Sequence, residues 1–227
     1  MMFFNPEYFL FMLPALALML IAQFWVKSAY GKYGQIPNSR RMSGRDAAAS
    51  VLLSHGVTGV RVESVGGNLT DHYDPRTKVI YLSEGVFHGM SIAAVGIAAH
   101  EAGHAVQDAR SYSPLRLRNA IIPACNLGTT IGFPLMFIGY FLQFSFLLYI
   151  GILLFSLAFV FQLVTLPVEF NASSRALRTI RENGLLAGDE YTGAKRMLTA
   201  AAMTYVAAMI QTLTTLLFYL LQAGRRR

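Results

Sequence analysis

A chain of 227 residues with a formal net charge of +7, 54% hydrophobic residues and only 14% charged ones has a mean hydropathy of +0.44, which excludes an ordinary soluble globule and points to an integral membrane protein. Its positive charge comes with no basic stripe interleaved with aromatics and no nucleic-acid motif, so anionic lipid is the expected partner and nucleic acid is not. The single cysteine, Cys125, excludes an internal disulfide and a cysteine zinc cluster.

In chain order, Tyr8 to Val26 is the first charge-free run. No positive segment precedes it and Lys27 follows it, so residues 1–27 read as a retained membrane anchor rather than a cleaved signal. "GKYGQIPNS" is a turn-rich linker, after which Ser43 is placed to cap a helix through "GRDAAASVLLSHG" that stops at Gly56. Three β-favouring runs follow, "VTGVRVES", "NLTDHY" and "KVIYLS", separated by the turn signals "VGG" and "DPRT". A small sheet fits them, with "KVIYLS" as a candidate edge for an extended substrate. Ser91 then caps a helix, "IAAVGIAAHEAGHAVQDA", which "SYSP" ends. This gives a catalytic segment over residues 28–118.

Residues 119 to 168 hold no charge, enough for two spans of about 20 residues each, placed at Ile121–Leu142 and Phe146–Pro167 as a transmembrane hairpin. Gly128 and Gly132 within it have a spacing that allows close helix packing. A third-ligand helix and loop are expected over 169–197, with Gly184 as a stop, and a last membrane helix with a basic tail over 198–227. The basic residues bordering the spans concentrate in 27–118 and 169–197, which the positive-inside rule assigns to the cytoplasm. The terminal "GRRR" dissents, and a tilted or re-entrant last helix is one way to accommodate it.

The chemistry centres on "HEAGH". Residues four apart share a helix face, so His100 and His104 offer two imidazole nitrogens to one metal ion. Glu101 is displaced by about 100° around the helix, where it reaches a metal-bound water as general base without being a ligand. That is zinc-hydrolase geometry, and it needs a third protein ligand and one open position. Gln107 and Arg110 stand where the metzincin pattern requires glycine and histidine, so that pattern fails. No Asp-Gly pair supplies the aspartate of site-2-type proteases. Glu169 is the only acidic residue between Asp108 and Glu182. Two spans separate it from the histidines, so the chain returns to the side it left and Glu169 is the expected third ligand.

The stretch from Leu69 to Gln107, together with "LPVEFNASSRAL" and "AAAMTYVAA", resembles the small bacterial membrane-embedded neutral zinc metallopeptidases, the YugP-like family, over nearly the whole chain. More distantly it is similar to gluzincins of the HtpX and CAAX-prenyl-protease type. The resemblance implies one zinc ion per chain, His100, His104 and Glu169 as ligands and Glu101 as base. Those relatives commonly carry Asp four residues after the glutamate ligand, where a carboxylate orients a histidine. This chain has Ser173 there, and either Ser173 or an acidic residue from elsewhere, such as Asp74, takes that task.

Supporting roles are less sharply marked. His72 and Tyr73 are candidate donors to the oxyanion if the sheet lies over the cleft, and Tyr205, in the last apolar run, is another; surface-turn and packing roles are the plainer readings. His55 suits a helix C-terminus, His88 a local role, and Asp71 and Asp74 turns. The expected protein is therefore an α+β integral membrane zinc metalloendopeptidase: about four transmembrane helices, a small zincin-like domain, multi-pass in the cell membrane, acting on membrane or membrane-proximal protein segments from the cytoplasmic side. The rival is a non-catalytic membrane protein braced by a structural zinc, for which a base at Glu101 has no purpose. A metal transporter is disfavoured, because the four spans hold no internal acidic or histidine residue.

Overall fold

The cap positions anticipated from sequence form as local hydrogen bonds. In the computed structural model, which describes residues 6–225, Ser43 Oγ accepts from the Asp46 amide at 3.1 Å and donates to Asp46 Oδ2 at 2.7 Å. This reciprocal cap starts α2 (Gly44–Ser54). The chain leaves that helix through Gly56 at φ +64°. Ser91 Oγ accepts from the Ala94 amide at 3.1 Å and starts α4 (Ile92–Ala109). Among the parts of the expected anchor and basic tail, Met1–Asn5, Arg226 and Arg227 lie outside the described residues.

Between α2 and α4 lie β1 (Arg61–Val65), β2 (His72–Asp74), β3 (Val79–Ser83) and the single turn α3 (Glu84–Phe87). The strand order is β1-β3-β2, with β1 parallel and β2 antiparallel to β3. The expectation that "KVIYLS" offers an edge is therefore corrected: β3 is central and paired on both sides, and its residues are mostly buried. Asp74 Oδ1 accepts from the Arg76 amide at 2.8 Å and closes the "DPRT" turn between β2 and β3. Asp71, expected in a turn, instead ties the strands by accepting from the Ser83 amide at 2.8 Å.

Among the described residues, four helices are long and apolar enough to cross a membrane: α1 (Pro6–Tyr33), α5 (Ser113–Phe141), α6 (Ser145–Glu182) and α7 (Gly188–Gly224). The last two differ from expectation. The span ending at Pro167 and the segment carrying Glu169 are one continuous 38-residue helix. A proline removes only its own N–H bond to the carbonyl four residues back, and the helical residues on either side carry the helix through it. Likewise α7 begins at Gly188, ahead of the apolar run, because "DEYTGAKRM" places acidic residues in the first turn of a good helical sequence.

The chain divides into two compact units. The first comprises Met1–Gln23, Leu117–Leu166 and Met203–Arg227. Here Gly128 and Gly132 do let helices approach, since an added Cβ would lie 2.6 Å from the Leu154 carbonyl oxygen and 2.6 Å from the Phe155 amide nitrogen, respectively. Glu7 pairs with Arg225 and accepts from Gln222 at 3.1 Å. Tyr149 donates to the Ala223 carbonyl at 3.4 Å. The start of α1, the start of α6 and the end of α7 thus meet within this unit. The dissenting charge of Arg225 is offset by Glu7.

The second unit comprises Phe24–Arg116 and Pro167–Ala202. Its core runs from Ala29 and Tyr33 through Val51, Ile80 and Leu82 to the alanine-rich face of α4 and on to Ala176, Ile180, Leu185 and Met197. Small side chains in α4 bring neighbouring backbones close. An added Cβ on Gly103 would sit 2.7 Å from the Ala172 carbonyl oxygen of α6, so the glycine inside "HEAGH" is what admits α6 beside the histidines.

A three-donor cluster between two helices

That close approach sets the site. The i, i+4 spacing on α4 brings the His100 and His104 rings to a centroid separation of 4.7 Å at 84°. On α6, Glu169 is 3% exposed, and its Oε2 lies 3.3 Å from His100 Nε2 and 3.6 Å from His104 Nε2. One ligand atom from each of the three lies within 4.8 Å of the others.

Two imidazole nitrogens and a carboxylate oxygen are a donor set that zinc takes. Tetrahedral bonds of about 2.0–2.1 Å put neighbouring donors about 3.3–3.4 Å apart. The two separations from Glu169 Oε2, 3.3 and 3.6 Å, are close to that edge, and the third lies within 4.8 Å, so the residues present fit the ion. Among the described residues, no fourth His, Cys, Asp or Glu joins the cluster. Burial alone pushes the His104 pKa down, yet the Glu169 and Glu101 carboxylates and the Gln107 contact hold it above the ordinary histidine value. The site thus concentrates negative charge that a cation would balance.

Glu101 is buried on the same helix at 9% exposure, and among the described residues its carboxylate makes no hydrogen bond. Ser173, one turn after Glu169, places Oγ 3.1 Å from His100 Nδ1. Asp74, the alternative for that task, is occupied in its own turn with Arg76 and Thr77. On the second histidine, Gln107 Oε1 lies 3.0 Å from His104 Nδ1. Gln107 Nε2 donates to the Val168 carbonyl at 2.8 Å and to Asn171 Oδ1 at 3.0 Å. Asn171 Oδ1 also accepts from Arg175 Nε at 2.7 Å. Sequence reasoning noticed Gln107 only as a failed metzincin position and missed Asn171 and Arg175. The available signal was a glutamine three residues past the second histidine, inside an otherwise apolar helix face.

The chain matches the family described as "putative neutral zinc metallopeptidase" over residues 8–224. The chain belongs to that family. Within the neutral zinc metallopeptidases it is 46% identical, over 208 residues, to a protein of Bacillus subtilis (strain 168) named "Putative membrane protease YugP", covering 91% of this chain and 92% of that one. No solved structure matches it.

The Tyr73 hydroxyl donates to Asp108 Oδ2 at 2.6 Å, and burial followed by that bond pushes its pKa up. Its one donor proton is therefore committed to a carboxylate. Lys78 Nζ shares the same Asp108 oxygen at 2.5 Å, so this trio fastens the β2–β3 hairpin to the end of α4. His72 is exposed, with Nδ1 2.7 Å from the Thr70 carbonyl and its ring stacked on Tyr81 at 5.0 Å. Tyr205 is a half-buried residue of α7 within the first unit. His55 turns Nδ1 to the Val51 carbonyl at 3.0 Å at the end of α2, and His88 packs edge-on against Phe87.

Proposed function

We propose that this chain is a multi-pass membrane zinc metalloendopeptidase that hydrolyses peptide bonds in membrane or membrane-proximal protein segments, with His100, His104 and Glu169 as ligands and Glu101 as base. The observation that carries the reading is the convergence of both histidine Nε2 atoms on one Glu169 oxygen, at 3.3 and 3.6 Å. The family description, and the name of the Bacillus relative, support a protease of the membrane. The catalytic segment, 28–118, is read as zincin-like: a helix bearing the histidines beside a short sheet, completed by the segment from 169.

Zinc bound there supplies a Lewis acid for the scissile carbonyl and lowers the pKa of water toward about 7. Glu101 takes the proton from the attacking water and hands it to the leaving amine. Ser173 holds the His100 ring from behind. Among the described residues, a three-donor set with the Glu101 carboxylate beside it and no fourth donor favours this reading over a structural zinc, which closes its fourth position with another ligand. Hydrolysis of a membrane-anchored reporter by the purified full-length protein tests it. Activity is expected to vanish on chelation and to return with stoichiometric zinc, one ion per chain. Hydrolysis that persists in zinc-free protein would reject the assignment.

The active site is assigned to the cytoplasmic side of the cell membrane, because the basic residues of 27–118 and 169–197 outnumber those at the opposite ends of the spans. A cysteine introduced in the "DPRT" turn, which is partly exposed, is expected to stay unreacted with an impermeant thiol reagent in intact cells and to react after lysis. The native Cys125 is buried and gives little background. Labelling in intact cells would reverse the orientation.

A further inference from the structure

Gln107 is fully buried, at 0% exposure, and the proposed chemistry leaves it without a task. A side-chain amide can lie either way round, so its orientation has to be read from partners of fixed polarity. Two such partners exist here. The Val168 carbonyl only accepts, which requires the Gln107 nitrogen to face it at 2.8 Å. Arg175 Nε only donates, at 2.7 Å, which requires Asn171 to present its oxygen. That same oxygen takes the second proton of Gln107 Nε2 at 3.0 Å. With both amide protons placed, the atom facing His104 Nδ1 at 3.0 Å is an oxygen that only accepts. Nδ1 therefore carries a proton, and Nε2, 3.6 Å from Glu169 Oε2, is the nitrogen that would meet a metal.

We infer that Gln107 is a positioning residue that fixes His104 as its Nδ1–H tautomer and aims Nε2 at the metal position, its own orientation being set by the Val168 carbonyl and the Arg175–Asn171 pair. The device also couples the ligands, because Val168 immediately precedes Glu169: the group that orients one ligand grips the backbone that carries another. His100 has no equivalent. The Ser173 hydroxyl both donates and accepts, so it steadies the ring without choosing the tautomer. The inference rests on the proposed zinc site and deepens it.

The test uses the full-length protein in detergent, with zinc affinity measured by chelator competition, the absorption spectrum of the cobalt-substituted protein, and thermal unfolding of the metal-free form. Gln107→Leu keeps approximate volume and removes every polar contact; zinc affinity is expected to fall about 10–100-fold, the usual effect of losing an outer partner of a ligating histidine. The cobalt spectrum should change with it. Gln107→Glu still accepts from His104 Nδ1–H but turns acceptors toward the Val168 carbonyl and Asn171 Oδ1. A merely structural glutamine ranks this variant below leucine in every measurement, whereas a positioning role ranks it above leucine in zinc affinity. Wild-type affinity in Gln107→Leu, or no recovery in Gln107→Glu, overturns the inference while leaving the zinc enzyme intact. A wild-type protein that binds no zinc overturns both. If neither Gln107 variant folds, Asn171→Ala decides: it removes one of the two orienting groups, and unchanged zinc affinity and cobalt spectrum overturn the proposal.

Discussion

Glu101→Gln is expected to retain one zinc per chain and to lose peptidase activity by at least about 100-fold, the lower end of what a positioned general base contributes. Glutamine keeps the volume and most of the polarity of glutamate at a site that is 9% exposed, so packing on α4 is preserved. What disappears is the ability to accept the proton of the attacking water and return it to the leaving amine. The substitution also removes one of the negative charges around His104, so metal content has to be measured beside the rate. Unchanged turnover with zinc present would reject Glu101 as the base. Loss of zinc together with activity would make Glu101 a ligand and revive the structural-site reading.

The parts of this molecule that were legible in the sequence are those governed by nearby residues. Ser43 and Ser91 cap their helices through bonds three residues long, and the Asp74 turn closes within "DPRT". The histidine pair follows from helical period alone; the meeting of Glu169 with it is the exception to locality, reached by counting charge-free runs and acidic residues. The parallel pairing of β1 with β3 was not legible, because it depends on a register between strands that no local pattern encodes. The continuity of α6 was missed because Pro167 reads as a terminator, although a proline costs the helix one bond and the flanking residues supply many. The grip of Gln107 on the Val168 carbonyl joins residues 61 positions apart, through a main-chain atom that carries no side-chain signature. Gly103 belongs to the same class: its meaning lies in the Ala172 oxygen it admits.

Glu169→Ala is expected to lower zinc affinity and peptidase activity together, each by at least about tenfold, since even an outer partner of a ligand contributes that much. Two imidazoles alone hold zinc weakly, and a third donor raises affinity while leaving a position open. In the structure this carboxylate is the only acidic group whose oxygen meets both Nε2 atoms among the described residues. Glu182→Ala is the matched control. It removes a carboxylate from the same α6, at its exposed last residue, 13 positions further on, which is about 20 Å of helix. A general effect of reducing negative charge on this helix would appear in both variants, whereas a ligand effect appears only in the first. Full zinc content and activity in Glu169→Ala would move the third ligand elsewhere, and His72, exposed on β2 with Nε2 uncommitted to Thr70, is the next residue to replace.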